Sequence, residues 1–107
     1  MIEQNQEESL SIIKEVETNP ATTQRAVSKK LGISLGKTNY LLKELTAKGL
    51  IKGKSFSNNP GKLRKIGYLL TPKGFEEKMR LTQHFLKKKE AEYKTLKEEW
   101  EESQKVP

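Results

Sequence analysis

Residues 31–40 read "LGISLGKTNY". Two folds compete for this stretch. Gly36-Lys37-Thr38 has the ending of a phosphate-binding loop. It equally suits the turn and first residues of a helix that reads DNA. The phosphate loop fails on spacing. It needs a glycine five positions before its second glycine, so that backbone N–H groups can ring the phosphates. That position is Leu31, and the available Gly32 leaves the loop one residue short. The loop should also follow a buried strand, whereas the preceding "TTQRAVSKKLG" is polar and helix-like.

Working outward, the helical reading gains support on both sides. Thr22 or Thr23 can cap a helix over "QRAVSKKL", with Ala26, Val27 and Leu31 inward and Arg25, Lys29 and Lys30 outward. Gly32 suits a left-handed terminus. Ile33 points back to the core, and Ser34 caps a further helix whose core face is Thr38, Leu41, Leu42 and Leu45, closed by Gly49. Two helices joined by a very short glycine-containing turn make a helix-turn-helix. Upstream, Leu10, Ile12, Ile13 and Val16 predict a first helix over about residues 6–18, ended by Asn19-Pro20. Downstream, Leu50, Ile51 and Phe56 pair with Ile66, Tyr68 and Leu70 across the turn-rich, basic "SNNPGKLR". The predicted fold is mostly α with a small β-hairpin: a winged helix-turn-helix.

Thr71-Pro72 then starts a long C-terminal helix, threonine as cap and proline at its first position. Phe75, Met79, Thr82, Leu86, Lys89, Tyr93, Leu96 and Trp100 recur at alternating spacings of four and three, a heptad seam with Thr82 and Lys89 as imperfections. Such a helix is about 45 Å long and projects beyond so small a domain. Leu81 and Phe85 lie off the seam, placed to pack on the first helix. The expected division is residues 1–70 for a DNA-binding domain and 71–107 for a dimerisation helix. The expected dimer contacts are Phe75, Met79, Leu86, Tyr93, Leu96 and Trp100.

Charge separates along the 107 residues, whose formal net charge is +7. Residues 1–19 hold five Glu against one Lys, net −4, while residues 20–70 hold eleven Lys/Arg against one Glu, net +10. A basic segment coinciding with the helix-turn-helix suits a polyanion, most simply nucleic acid. The absence of cysteine removes disulfides and thiolate metal sites. His84 is the single histidine and has no metal-binding neighbours in sequence; no catalytic grouping is evident. We therefore expect no enzymatic activity, no metal and no cofactor. With no long apolar run and no signal peptide, a soluble cytoplasmic protein without membrane contact is expected.

The first half of a reading helix enters the major groove, which nominates Ser34, Leu35, Gly36, Lys37, Asn39, Tyr40 and Lys43. Lys37 suits guanine, Asn39 suits adenine, and Gly36 permits close backbone approach. Thr23, Gln24 and Arg25, at the start of the preceding helix, suit a phosphate. The wing offers Lys54, Asn58, Asn59, Lys62 and Arg64, with Lys62 or Arg64 suited to the minor groove.

"NPATTQRAVSKKLGISLGKTNYLLKELTAKGLIKG" followed by "YLLTPKGFEEK" resembles the MarR family of bacterial winged-helix regulators. "LGISLGKTNYLL" with "YLLTPKG" and "FLKKKEAEY" is similar, more narrowly, to the exopolysaccharide-associated MarR-type regulators. The likeness runs from about residue 9 to residue 100. It implies transcriptional control through double-stranded DNA, of exopolysaccharide genes in the narrower group, and a homodimer. The chain departs from the larger family in lacking its long extra helices at both ends, so no small-molecule effector is assigned. The competing expectation is a winged-helix module that binds RNA or a protein partner.

Overall fold

The computed structural model describes residues 2–55 and 66–105, with side chains at positions 4–53 and 67–105. The element order is α1 (Ile2–Thr18), α2 (Gln24–Leu31), α3 (Leu35–Ala47), β1 (Ile51–Ser55), β2 (Ile66–Leu70) and α4 (Pro72–Gln104). β1 and β2 form one antiparallel ladder in which Ile51 faces Leu70, Gly53 faces Tyr68 and Ser55 faces Ile66. Leu50 lies just before the strand rather than in it. Three helices and a hairpin make a winged helix-turn-helix, and a long helix follows.

α1 begins at Ile2, some four residues earlier than its apolar spacing required. No glycine or proline interrupts "EQNQEES", and its glutamates favour the positive end of the helix dipole. Its apolar stripe of Leu10, Ile12, Ile13 and Val16 is buried against Val27 of α2, Leu41, Leu42 and Leu45 of α3, and Leu50 and Ile51. Leu81 and Phe85 of α4 complete this cluster. They therefore pack against the winged-helix core, while the seam residues do not. Ala26, expected inward, is exposed, and Leu31 is only partly covered. An eight-residue helix offers too narrow a stripe, and Val27 alone fills it.

The turn between α2 and α3 is closed by hydrogen bonds. Thr23 caps α2 by accepting from the Ala26 N–H at 3.1 Å. Gly32 takes the left-handed conformation at φ +69°, which a side chain would strain. The Ile33 N–H donates to the Ser28 carbonyl at 3.2 Å. The Ser28 hydroxyl returns a bond to the Ile33 carbonyl at 2.6 Å. Ser34 then caps α3, accepting from the Lys37 N–H at 3.0 Å.

α4 is anchored at its start. Thr71 caps it, accepting from the Gly74 N–H, and its hydroxyl also reaches the carbonyls of Gly49 and Leu50 at 2.6 and 3.0 Å. Gly74 is buried against Leu50. The 33 residues of α4 correspond to about 50 Å of helix, and the molecule is accordingly elongated at 74 × 26 × 22 Å. Every residue from 91 to 105 is exposed.

Candidate nucleic-acid interface

α3 rests its Thr38, Leu41, Leu42 and Leu45 face on the core and turns Leu35, Gly36, Tyr40 and Lys43 to solvent. Ser34 is exposed and Asn39 is partly covered. An open cleft beside the start of α3 is lined by Thr23, Arg25, Ala26, Ser28, Lys29, Gly32, Ile33 and Leu35. Arg25 and Lys29 stand one turn apart on α2, both exposed, and share this cleft with Leu35. Lys29 was not among the expected contacts. The sequence already placed it outward with Arg25, and the i, i+4 spacing that sets the two on one helix face is the signal that could have nominated it.

Expected contacts divide by what their side chains already do. Gln24 donates from Nε2 to the Leu35 carbonyl at 3.2 Å, so its amide ties α2 to α3. Lys37, expected to be exposed, is only partly so. Its ammonium lies 2.9 Å from Glu8 Oε2 and 3.1 Å from Oε1. The acid belongs to α1, and nothing in the local motif reveals that α1 crosses there. The Tyr40 hydroxyl donates to Glu44, which raises the phenol pKa above its ordinary value. Glu44 is itself held below the ordinary carboxylate range, first by Lys48 at 2.8 Å and then by Tyr40. The backbone of Lys54 lies in β1, but its side chain, with Asn58, Asn59, Lys62 and Arg64, falls outside the described residues, as does Phe56.

Cations at the surface are unequal. Lys30 pairs with Glu15 at 2.7 Å, and Lys78 pairs with Glu17 at 2.5 Å. Among the described residues none forms an ion pair with Arg25, Lys29 or Lys43. These three border the exposed N-terminal half of α3. The arrangement offers unspent positive charge around a capped helix start, which suits phosphate groups flanking a groove. Among the described residues no cluster of His, Cys, Asp or Glu could hold a metal ion, and no helix is long and apolar enough to cross a membrane.

The second exposed feature is apolar. Phe75, Met79, Leu86, Tyr93, Leu96 and Trp100 are between 49% and 66% exposed, all on the heptad seam of α4. His84 stands off it, with its ring edge-on to Phe85 at 5.0 Å between centroids.

Residues 9–52 match the family model described as winged helix-turn-helix DNA-binding. No curated protein sequence matches the chain. A point mutant of MepR from S. aureus superposes with a TM-score of 0.68 at 22% identity, over 94% of this chain and 71% of that one. The S. aureus MepR–DNA complex gives 0.66 at 22% identity, over 94% and 68%. A MarR family transcription regulator gives 0.65 at 20% identity over 82% of this chain; the match spans 56% of that regulator's length. These likenesses establish the fold, a MarR-like winged helix-turn-helix with a long C-terminal helix.

Proposed function

We propose that the chain is a sequence-specific, duplex-DNA-binding transcription regulator of MarR type that acts as a homodimer. The observation that carries this reading is the set of exposed cations, Arg25, Lys29 and Lys43, around the exposed half of α3, none of which is in an ion pair among the described residues. Of the expected reading residues, Asn39, Lys43, Leu35 and Gly36 are assigned to the groove. Thr23, Arg25 and Lys29 are assigned to the backbone, with Lys54, Asn58, Asn59, Lys62 and Arg64 of the wing. The match of residues 9–52 and a MarR-like neighbour crystallised with DNA support the assignment. The "LGISLGKTNYLL", "YLLTPKG" and "FLKKKEAEY" motifs support the exopolysaccharide-associated branch, and with it control of exopolysaccharide genes.

Dimerisation follows from the seam of α4. Two recognition helices reach successive major grooves about 34–36 Å apart only if a second copy holds them there. The exposed apolar ladder from Phe75 to Trp100 is the surface that a second copy would bury. Residues 1–70 would then form the DNA-binding part and 71–107 the dimerisation helix, with Leu81 and Phe85 joining the two.

The test is selection of duplexes from a random pool, followed by titration of the wild type, Asn39→Ala and Lys43→Ala. Loss of a base contact is expected to cost about 1–3 kcal/mol and to relax selectivity at one position. Structured RNA serves as competitor at two salt concentrations. Preference for RNA, or failure of the Asn39→Ala, Lys43→Ala double variant to weaken binding, refutes the assignment.

A further inference from the structure

We propose that Glu8 withholds Lys37 from DNA, so that an acid on α1 decides which cations of the reading helix take part in binding. The inference rests on the reading of α3 as the DNA-contacting helix and deepens it.

Lys37 is the one cation in the first turn of α3. By position alone it should be the leading contact. Its ammonium, however, sits between both oxygens of Glu8, at 3.1 and 2.9 Å. The Glu8 side chain is 14% exposed and that of Lys37 34%, whereas Lys30 and Lys48 in their own pairs are 64% and 60% exposed. Gln4 adds a donor to Glu8 at 3.3 Å, which fixes the carboxylate further. The pair between Glu8 and Lys37 is thus the most covered of those on the helix-turn-helix. Opening it would strand a partly buried carboxylate beside incoming phosphates. Opening the Lys48–Glu44 pair carries less of that cost, since its carboxylate is 35% exposed and water replaces the partner. The Lys30–Glu15 pair shares it on the acid's side, at 12% exposed, but its lysine is already open to solvent. DNA therefore meets Arg25, Lys29 and Lys43 at once, and Lys37 only against Glu8.

A function follows for the acidic first helix. Of its glutamates, Glu8 pairs with α3, Glu15 with α2 and Glu17 with α4. The first two remove cations from the helix-turn-helix surface. A lysine released from Glu8 would attract any phosphate, whatever the base sequence. Holding it lowers indiscriminate binding and leaves discrimination to the outer face of α3.

The experiment is a double-mutant cycle of Glu8→Gln and Lys37→Ala in the full chain. Binding is measured by fluorescence anisotropy on a duplex selected by the wild type and on a scrambled duplex of equal length, across a salt series. Lys37→Ala alone is expected to leave the salt slope unchanged. Glu8→Gln is expected to tighten binding to both duplexes, to steepen the slope by about one unit per protomer, and to narrow the ratio between them. Adding Lys37→Ala to Glu8→Gln should cancel the steepening. Thermal unfolding of all four proteins separates folding from binding, and Glu8→Ala supplies a second route to release if Glu8→Gln unfolds early. Two results overturn the proposal. One is a slope lowered by Lys37→Ala in the wild-type background. The other is a Glu8→Gln gain that is the same with and without Lys37, which makes Glu8 a mere background charge. A wild type that binds no duplex defeats the DNA reading itself, and this inference with it.

Discussion

Glycine to alanine inside a helix ordinarily stabilises, by about 0.5–1 kcal/mol, because alanine has less backbone freedom to lose. At Gly74 the sign should reverse. A Cβ built there lies 1.9 Å from the Leu50 carbonyl oxygen, 2.9 Å from its carbon and 2.6 Å from Leu70 Cδ1. A relaxed C···O contact is about 3.3–3.6 Å, so the overlap exceeds 1 Å by a rough margin and its object is backbone. Leu50 cannot simply retreat. Its carbonyl accepts from the Thr71 N–H at 3.1 Å and from the Thr71 hydroxyl at 3.0 Å. Overpacking costs about 1–3 kcal/mol in general, and each hydrogen bond lost adds about 1 kcal/mol. Subtracting the gain in helix propensity leaves a net loss of about 2–4 kcal/mol. The assay is urea unfolding of wild type, Gly74→Ala and Gly36→Ala at one fixed protein concentration, since association shifts apparent stability. Gly36 is the control: it lies in the first turn of α3, and an added Cβ meets nothing within 4 Å. Gly36→Ala should hold or raise the midpoint while weakening DNA binding, whereas Gly74→Ala should lower it sharply. A Gly74→Ala midpoint equal to or above the wild type refutes the close approach of α4 to Leu50.

Four further outcomes are expected. Thr22→Val should stabilise by about 1 kcal/mol, because the buried Thr22 hydroxyl meets no hydrogen-bond partner among the described residues and an unsatisfied polar group is costly; unchanged or lower stability in thermal unfolding contradicts this. Ser34→Ala should cost about 1 kcal/mol by removing the acceptor for the Lys37 N–H at the start of α3, read by the same melt. The Tyr40 phenol, raised by Glu44, favours the folded state below the ordinary tyrosine pKa and loses that contribution as pH rises through its folded value. Glu44→Gln should therefore bring its phenolate absorbance to lower pH, with Tyr40→Phe identifying the signal. Finally, a chain ending at Lys87 lacks Tyr93, Leu96 and Trp100 but keeps Leu81 and Phe85; it should stay folded by circular dichroism and sediment as a monomer at a concentration where the full chain is dimeric.

The local code of the helix-turn-helix was legible because each signal acts over three or four residues. Ser34 caps α3, Gly32 takes the left-handed turn, and the Thr38, Leu41, Leu42, Leu45 stripe is buried. Leu81 and Phe85 were legible for the same reason, since helical spacing separates them from the seam. What escaped depends on which elements meet. The fate of Lys37 is decided by Glu8, twenty-nine positions earlier. Gly74 reads as an ordinary weak helix residue until α4 is laid against Leu50. Ala26 shows the limit of periodicity itself, which marks a stripe but not how wide a stripe the neighbouring helix covers.

Those long-range contacts also revise what the charge count means. The net +10 of residues 20–70 describes a segment, whereas DNA would meet a surface. Folding brings the acidic first helix against that segment, and Glu8 and Glu15 occupy Lys37 and Lys30. Among the described residues, Arg25, Lys29 and Lys43 are left exposed and without an ion pair. The junction at Gly74 has a comparable reach in the other direction. α4 extends about 50 Å from it, so a tilt of about 5° at Leu50 displaces the far end by about 4 Å. In the proposed dimer that displacement falls directly on the separation of the two reading helices, which must match a groove repeat of about 34–36 Å. A close-packed glycine with a backbone neighbour and a triply bonded threonine cap is a stiff way to set such an angle. Gly74→Ala should therefore impair DNA binding beyond what its unfolded fraction explains.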